Sequence, residues 1–177
     1  LNPTVAPYAK TGEVMLRVTA KVRDPKEADT VMAPAMEKIR EAAGAYLYGI
    51  DVGNLQTAAV RLLKEKGLHV AMAESCTGGL VSKRITEVSG ASEVFECGIC
   101  TYSNRMKQQF LHVKEKTLQK FGAVSAETAA EMAEGIRAVS GADIGVSVTG
   151  NAGPGASEGK PVGMVFVGVS SKNYTSV

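Results

Sequence analysis

The sequence predicts an α/β protein: a three-layer α/β/α arrangement around a mainly parallel sheet, preceded by a small β-α-β subdomain. Beyond residue 50, apolar runs at 69–73, 97–102, 144–148 and 162–169 alternate with helical stretches, the pattern of parallel strands joined by crossover helices. The composition agrees. Among 177 residues, 45% are hydrophobic and 21% charged, enough for one core and a smaller appendage. A net charge of +2 argues against a disordered chain and against a broad basic surface for nucleic acid. The longest strongly apolar stretch, 163–169, is far below the ~20 residues of a membrane helix. Three cysteines, Cys76, Cys97 and Cys100, are too few for a disulfide framework. This balance reads as a soluble, reduced, cytoplasmic protein.

In the first block, 1–50, Pro3 and Pro7 mark an extended opening segment. Val14, Leu16, Val18, Ala20 and Val22 then alternate with polar residues, as in a half-exposed strand. Asp24-Pro25 followed by Glu27 has the form of a helix start, with Pro34 expected to delay or kink the helix that runs toward Ala43. Residues 45–50 read as a second strand, which closes the β-α-β unit. In the second block, 51–177, Leu55, Ala58, Ala59, Leu62 and Leu63 share a helix face that Gly67 ends. Further helices are expected at 79–88, 104–111 and 114–121, and Ser125 caps a last one with Ala129, Met132, Ala133 and Ile136 inward. The chain does not open on methionine, and it stops eight residues after its last apolar strand. Both ends suggest a piece of a longer protein, with the second domain cut short.

In sheets of this kind the ligand crevice lies beyond the carboxyl ends of the strands. Three loops fall there. In Glu74-Ser75-Cys76-Thr77-Gly78-Gly79, the N–H groups of Thr77, Gly78 and Gly79 open a helix and favour negative charge. Ser75 there is either a nucleophile beside an oxyanion site or, like Thr77, a helix cap. Cys76 is a rival nucleophile, or a small packing residue. In the second loop, Tyr102 ends a strand and Lys107 lies about one turn into the following helix. The pair is either an activating base with its relay or an ordinary surface lysine with a core-edge tyrosine. The third loop runs from Thr149 and Gly150 through Gly153 to Lys160-Pro161. It fits neither a Walker loop nor a dinucleotide fingerprint, because Pro154, Pro161 and Glu158 stand at required positions. A loop closing over a small polar ligand and a plain surface hairpin both remain open.

Other chemistries are poorly supported. A Ser-His-Asp triad needs a histidine in the crevice, but His69 begins a strand and His112 lies between helices. The G-x-S-x-G elbow is absent, and Cys97 and Cys100 face opposite sides of a strand, a poor metal pair. No metal or cofactor is expected.

Taken together, Ala73-Glu74-Ser75-Cys76-Thr77-Gly78-Gly79, Tyr102-Ser103-Asn104 with Lys107, Gly122-Ala123-Val124-Ser125, and Val148-Thr149-Gly150 through Ala152-Gly153-Pro154 to Lys160-Pro161-Val162-Gly163 resemble the competence/damage-inducible CinA family. The resemblance is to its C-terminal nicotinamide-nucleotide amidohydrolase domain, and Asn2-Pro3-Thr4 onward is similar to the linking, KH-like subdomain. It implies hydrolysis of nicotinamide mononucleotide to nicotinate mononucleotide and ammonia, with Ser75 as nucleophile, Tyr102 and Lys107 activating it, and Thr149 at the substrate. Thr77, Gly78, Gly79, Gly150 and Gly153 would line the nucleotide. The resemblance also implies a homodimer and a small-molecule nucleotide as partner, while charge and hydropathy lead us to expect no direct nucleic-acid or membrane binding. Asn151 stands where the family usually has an aliphatic residue. Family members continue into a further strand and helix carrying an arginine for the substrate phosphate, so this chain is expected to be a poor catalyst alone. A non-catalytic nucleotide-binding or competence-associated module is the alternative.

Overall fold

The computed structural model describes residues 1–177, and the chain divides into two compact units, Leu1–Ala58 and Ala59–Val177. In the first unit, strands β1 (Thr4–Lys10) and β2 (Glu13–Thr19) form an antiparallel hairpin closed by Thr11-Gly12, with Gly12 at φ 79°. Pro7 sits inside β1 opposite Leu16. In a two-stranded ribbon every strand is an edge, so the N–H that proline lacks is not needed. Asp24 accepts a hydrogen bond from Lys26 N–H, and Pro25 opens a short 3₁₀ turn. Helix α1 (Ala28–Ala43) follows and runs through Pro34.

The small unit is therefore β-β-α, which corrects the β-α-β order. The strand expected at 45–50 is a 3₁₀ turn at Gly44–Tyr46 followed by irregular chain. The 1–10 segment, taken as merely extended, supplies the second strand instead. Apolar alternation marks a strand but not its partner, and the nearest chain in sequence, across Thr11-Gly12, wins the pairing.

Helix α2 (Leu55–Lys66) spans the division between the units. The second unit is built on β3 (Val70–Glu74), β4 (Phe95–Cys100), β5 (Ile144–Gly150), β6 (Val165–Ser170) and β7 (Thr175–Ser176), in sheet order β4-β3-β5-β6-β7. The three strands β4, β3 and β5 are parallel; β6 and β7 add antiparallel to one side, making the sheet mixed. No helix lies between β5 and β6, so that connection returns as a long hairpin rather than a crossover.

Central β3 is buried at every position. Its side chains alternate between two cores. Ala71 and Ala73 pack with Leu111, Val113, Leu118, Met132 and Ile136, while Val70 and Met72 pack with Val60, Ile85, Ala91 and Val94. The first core is made by α4 (Asn104–Leu111), α5 (Glu115–Phe121) and α6 (Ala126–Ser140), the second by α2 and α3 (Leu80–Thr86). The result is a three-layer α/β/α fold. The predicted inward face of α6, with Ala129, Met132, Ala133 and Ile136, is fully buried. Ser103 and Ser125 cap α4 and α6 by accepting Met106 and Thr128 N–H. No helix is long and apolar enough to cross a membrane.

Helices α4 and α6 approach so closely that a Cβ on Gly135 would lie 2.0 Å from the Leu111 carbonyl oxygen. Gly135→Ala would gain roughly 1 kcal/mol of helix propensity, but it must push a backbone carbonyl out of a packed core. A net loss of about 1–3 kcal/mol is expected, read from equilibrium urea unfolding.

Candidate active site

The loop after β3 lies between both neighbouring strands. Thr101 N–H of the chain leaving β4 donates to the Glu74 carbonyl at 2.9 Å, and Ser75 N–H donates to the Val148 carbonyl of β5 at 2.9 Å. Ser75 is thus held at the carboxyl end of the central strand, where parallel sheets place ligands. Gly78 and Gly79, at φ 60° and 100°, turn the chain into α3 with a left-handed backbone that suits glycine.

The start of α3 is not free for an anion, contrary to the sequence reading. The side chain of Glu74 turns into it and accepts hydrogen bonds from the N–H groups of Gly79, Val81 and Ser82 and from the Ser82 hydroxyl, at 2.6–3.0 Å. Burial works against this carboxylate, but the Ser82 and Thr77 hydroxyls and the Ser82 and Val81 N–H groups prevail and hold its pKa below the ordinary range. Gly78 N–H donates to the Ser75 carbonyl, while Cys76 and Thr77 N–H have no oxygen acceptor in the chain and turn toward the Cys76 thiol. The expected donor set of Thr77, Gly78 and Gly79 therefore shrinks at Gly78 and Gly79 and shifts toward Cys76.

Across the crevice, Ser103 starts α4, and the first turn carries Lys107 inward until the residue is 1% exposed. Its Nζ donates to Ser75 Oγ at 3.0 Å, to the Thr101 carbonyl at 2.8 Å and to the Tyr102 carbonyl at 3.4 Å. Burial lowers the Lys107 pKa, against the opposing pull of Cys100, Glu158 and Cys76. Arg105, two residues earlier on the same helix, is exposed and plays no part in the shift. Burial pushes the Cys76 thiol pKa up, which disfavours its thiolate.

Tyr102 enters the site only through its main chain. Its side chain is 76% exposed, and no hydrogen bond joins its hydroxyl to Ser75 or Lys107. Thr149 follows Val148, whose carbonyl holds Ser75 N–H, but its own hydroxyl donates to the Ala123 carbonyl at 2.8 Å. Gly150 ends β5 against Val165, and Gly153 N–H donates to the Asn151 side chain. His69 pairs with Glu96 on the surface, and His112 ends α4, so neither histidine reaches Ser75. No group of three or more His, Cys, Asp or Glu side chains is placed to hold a metal ion.

Two features escaped the sequence reading. One is the Glu74 cap on α3, for which an acidic residue five before a helix-opening glycine is too weak a signal. The other is Glu158, whose carboxylate accepts Ala123 and Val124 N–H at 3.0 and 3.1 Å and which nothing local marks as a long-range partner.

Residues 53–177 match the CinA C-terminal domain family, and residues 1–49 match the damage-inducible protein CinA KH domain. The chain belongs to the CinA family. Its curated relatives include a CinA-like protein of Kosmotoga olearia, 51% identical over 177 residues, 99% of this chain and 43% of the relative. Another CinA-like protein, from Dictyoglomus turgidum, is 46% identical over 169 residues, 95% of this chain and 41% of the relative. The chain thus spans less than half the length of these CinA relatives. Among solved structures, the competence/damage inducible protein of Agrobacterium tumefaciens shares 42% identity at a TM-score of 0.67, covering 72% of this chain and 79% of that one. A competence or damage-inducible protein from Enterobacter asburiae gives 33% and 0.69, over 72% and 81%.

The Glu74 cap makes a stability prediction. A carboxylate whose folded pKa is depressed contributes stability that is fully present above the ordinary carboxyl range and is lost as pH falls through the lower folded value. Glu74→Gln is expected to lose about 1–3 kcal/mol at neutral pH, with the gap to wild type narrowing as the medium is acidified. Urea unfolding across a pH series checks both.

Proposed function

We propose that Ser75 and Lys107 form a nucleophile–base pair that hydrolyses the carboxamide of nicotinamide mononucleotide to nicotinate mononucleotide and ammonia. The observation that carries this reading is the 3.0 Å contact between a buried Lys107 Nζ and Ser75 Oγ. A lysine whose pKa is lowered by burial offers a neutral amine at far higher fraction than a surface lysine does. The choice of this amide comes from the CinA resemblance of the motifs around Ser75, Lys107 and Thr149.

In the first half-reaction neutral Lys107 takes the Ser75 hydroxyl proton as Oγ bonds to the carboxamide carbon. The carbonyl oxygen becomes the oxyanion, opposite the Cys76 and Thr77 N–H groups. The C–N bond then breaks, the departing amine takes the proton from the Lys107 ammonium, and ammonia leaves a nicotinoyl ester on Ser75. Water attacks this ester, with Lys107 accepting its proton and returning it to Ser75 Oγ as the carboxylate departs. The Thr101 carbonyl, at 2.8 Å from Nζ, keeps the amine aimed at Oγ through both halves.

Ammonia release from nicotinamide mononucleotide by the full-length protein tests the proposal. Ser75→Ala and Lys107→Ala are each expected to reduce kcat by about 10³-fold or more, while Cys76→Ala retains most activity. Since the neutral amine is the base, kcat rises with pH and levels off above the lowered Lys107 pKa. Equal ammonia release by wild type and Ser75→Ala would sink the assignment. Nucleotide binding without any hydrolysis by wild type would favour a binding module instead.

A further inference from the structure

The 151–163 loop is tied down at two places. At its root, Asn151 N–H donates to the Met164 carbonyl and Gly163 N–H to the Asn151 carbonyl. The Asn151 side chain accepts Gly153 N–H and donates to the Lys160 carbonyl. At its tip, Ser157 and Lys160 pair across Glu158-Gly159, whose φ values are 53° and 67°. Two successive positive φ angles define a tight hairpin turn that favours Asn or Gly at the first central position. Glutamate is a poor choice for such a turn. A local role does not explain it.

Its side chain does. Both Glu158 carboxylate oxygens are used, one on Ala123 N–H at 3.0 Å and one on Val124 N–H at 3.1 Å, and Lys160 adds a bond from Nζ to the Phe121 carbonyl at 2.7 Å. The segment they grip also receives the Thr149 hydroxyl, at the Ala123 carbonyl. Thr149 follows Val148, whose carbonyl holds Ser75 N–H. The grip on Ala123 therefore joins the loop tip to the strand end beside the nucleophile. We propose that Glu158 is a positioning residue for nucleotide binding: its carboxylate, held by Ala123 and Val124, sets where the 151–163 loop stands beside Ser75 and Lys107. Glu158 lies close enough to Lys107 to favour the ammonium form, which agrees with a place at the rim of the site.

The inference rests on the amidohydrolase reading for its kinetic test but not for its structural one. Glu158→Asn and Glu158→Gly suit the turn as well as glutamate or better, so a merely structural hairpin tolerates both. If the carboxylate positions the loop, both variants raise KM for nicotinamide mononucleotide about tenfold with kcat within about threefold of wild type. Glu158→Gln, which still has one acceptor oxygen, falls between. In the unliganded protein, the Ala123 and Val124 amides lose hydrogen-exchange protection in the Asn and Gly variants beyond any loss at the other amides of the second unit. An unchanged KM together with unchanged protection overturns the proposal. If the full-length wild type neither binds nor hydrolyses the nucleotide, the amidohydrolase reading fails by itself. Exchange at Ala123 and Val124 then decides the latch: lost protection supports it and retained protection refutes it.

Discussion

Glu74 is where the α/β unit turns from scaffold into site. Through Ala73, β3 sends alternate side chains into two apolar cores. The next position on the α3 side is a carboxylate, and burying a charge there would be costly if it were unpaired. It is instead saturated by three backbone N–H groups and one hydroxyl at the helix start. The helix dipole and its orphan donors supply what the carboxylate needs. In return the carboxylate fixes how the chain leaves the strand, and Ser75 is the first residue of that exit.

The same device recurs. Glu131 on α6 accepts Lys114 N–H and the Thr117 hydroxyl at the start of α5, and Glu158 accepts Ala123 and Val124 N–H before α6. For all three carboxyls burial pushes the pKa up, but the hydrogen bonds outweigh it and the pKa ends below the ordinary range. Each joins segments distant in sequence or anchors a helix start. Lys107 follows the opposite logic. Its surroundings satisfy the amine with carbonyls and a hydroxyl but place no carboxylate in contact, so burial lowers its pKa instead of an ion pair raising it.

What could be read beforehand follows from how local each determinant is. Helix α6 was legible because Ser125 caps it and its apolar spacing is regular. The inward position of Lys107 was only one of two readings, since one turn of helix brings a lysine to a crevice or to solvent according to what packs above it. Tyr102 lies two residues beyond the end of β4, where its side chain is exposed and its carbonyl meets Lys107. The antiparallel β6 was hidden because an apolar run carries no direction. The first unit lost its expected second strand because pairing, not propensity, makes a strand.

By itself the sequence determined the alternating strands and helices of the second unit, the caps, the glycine turns and the family motifs. Each depends on residues within a few positions of one another. Only the tertiary structure decided that Lys107 meets Ser75, that Glu74 occupies the α3 start, that Thr149 spends its hydroxyl on Ala123, and that Glu158 reaches back to the same residue. Those outcomes depend on burial and on donors supplied from distant segments, and a lysine or glutamate acquires its chemistry only when packing removes water from around it.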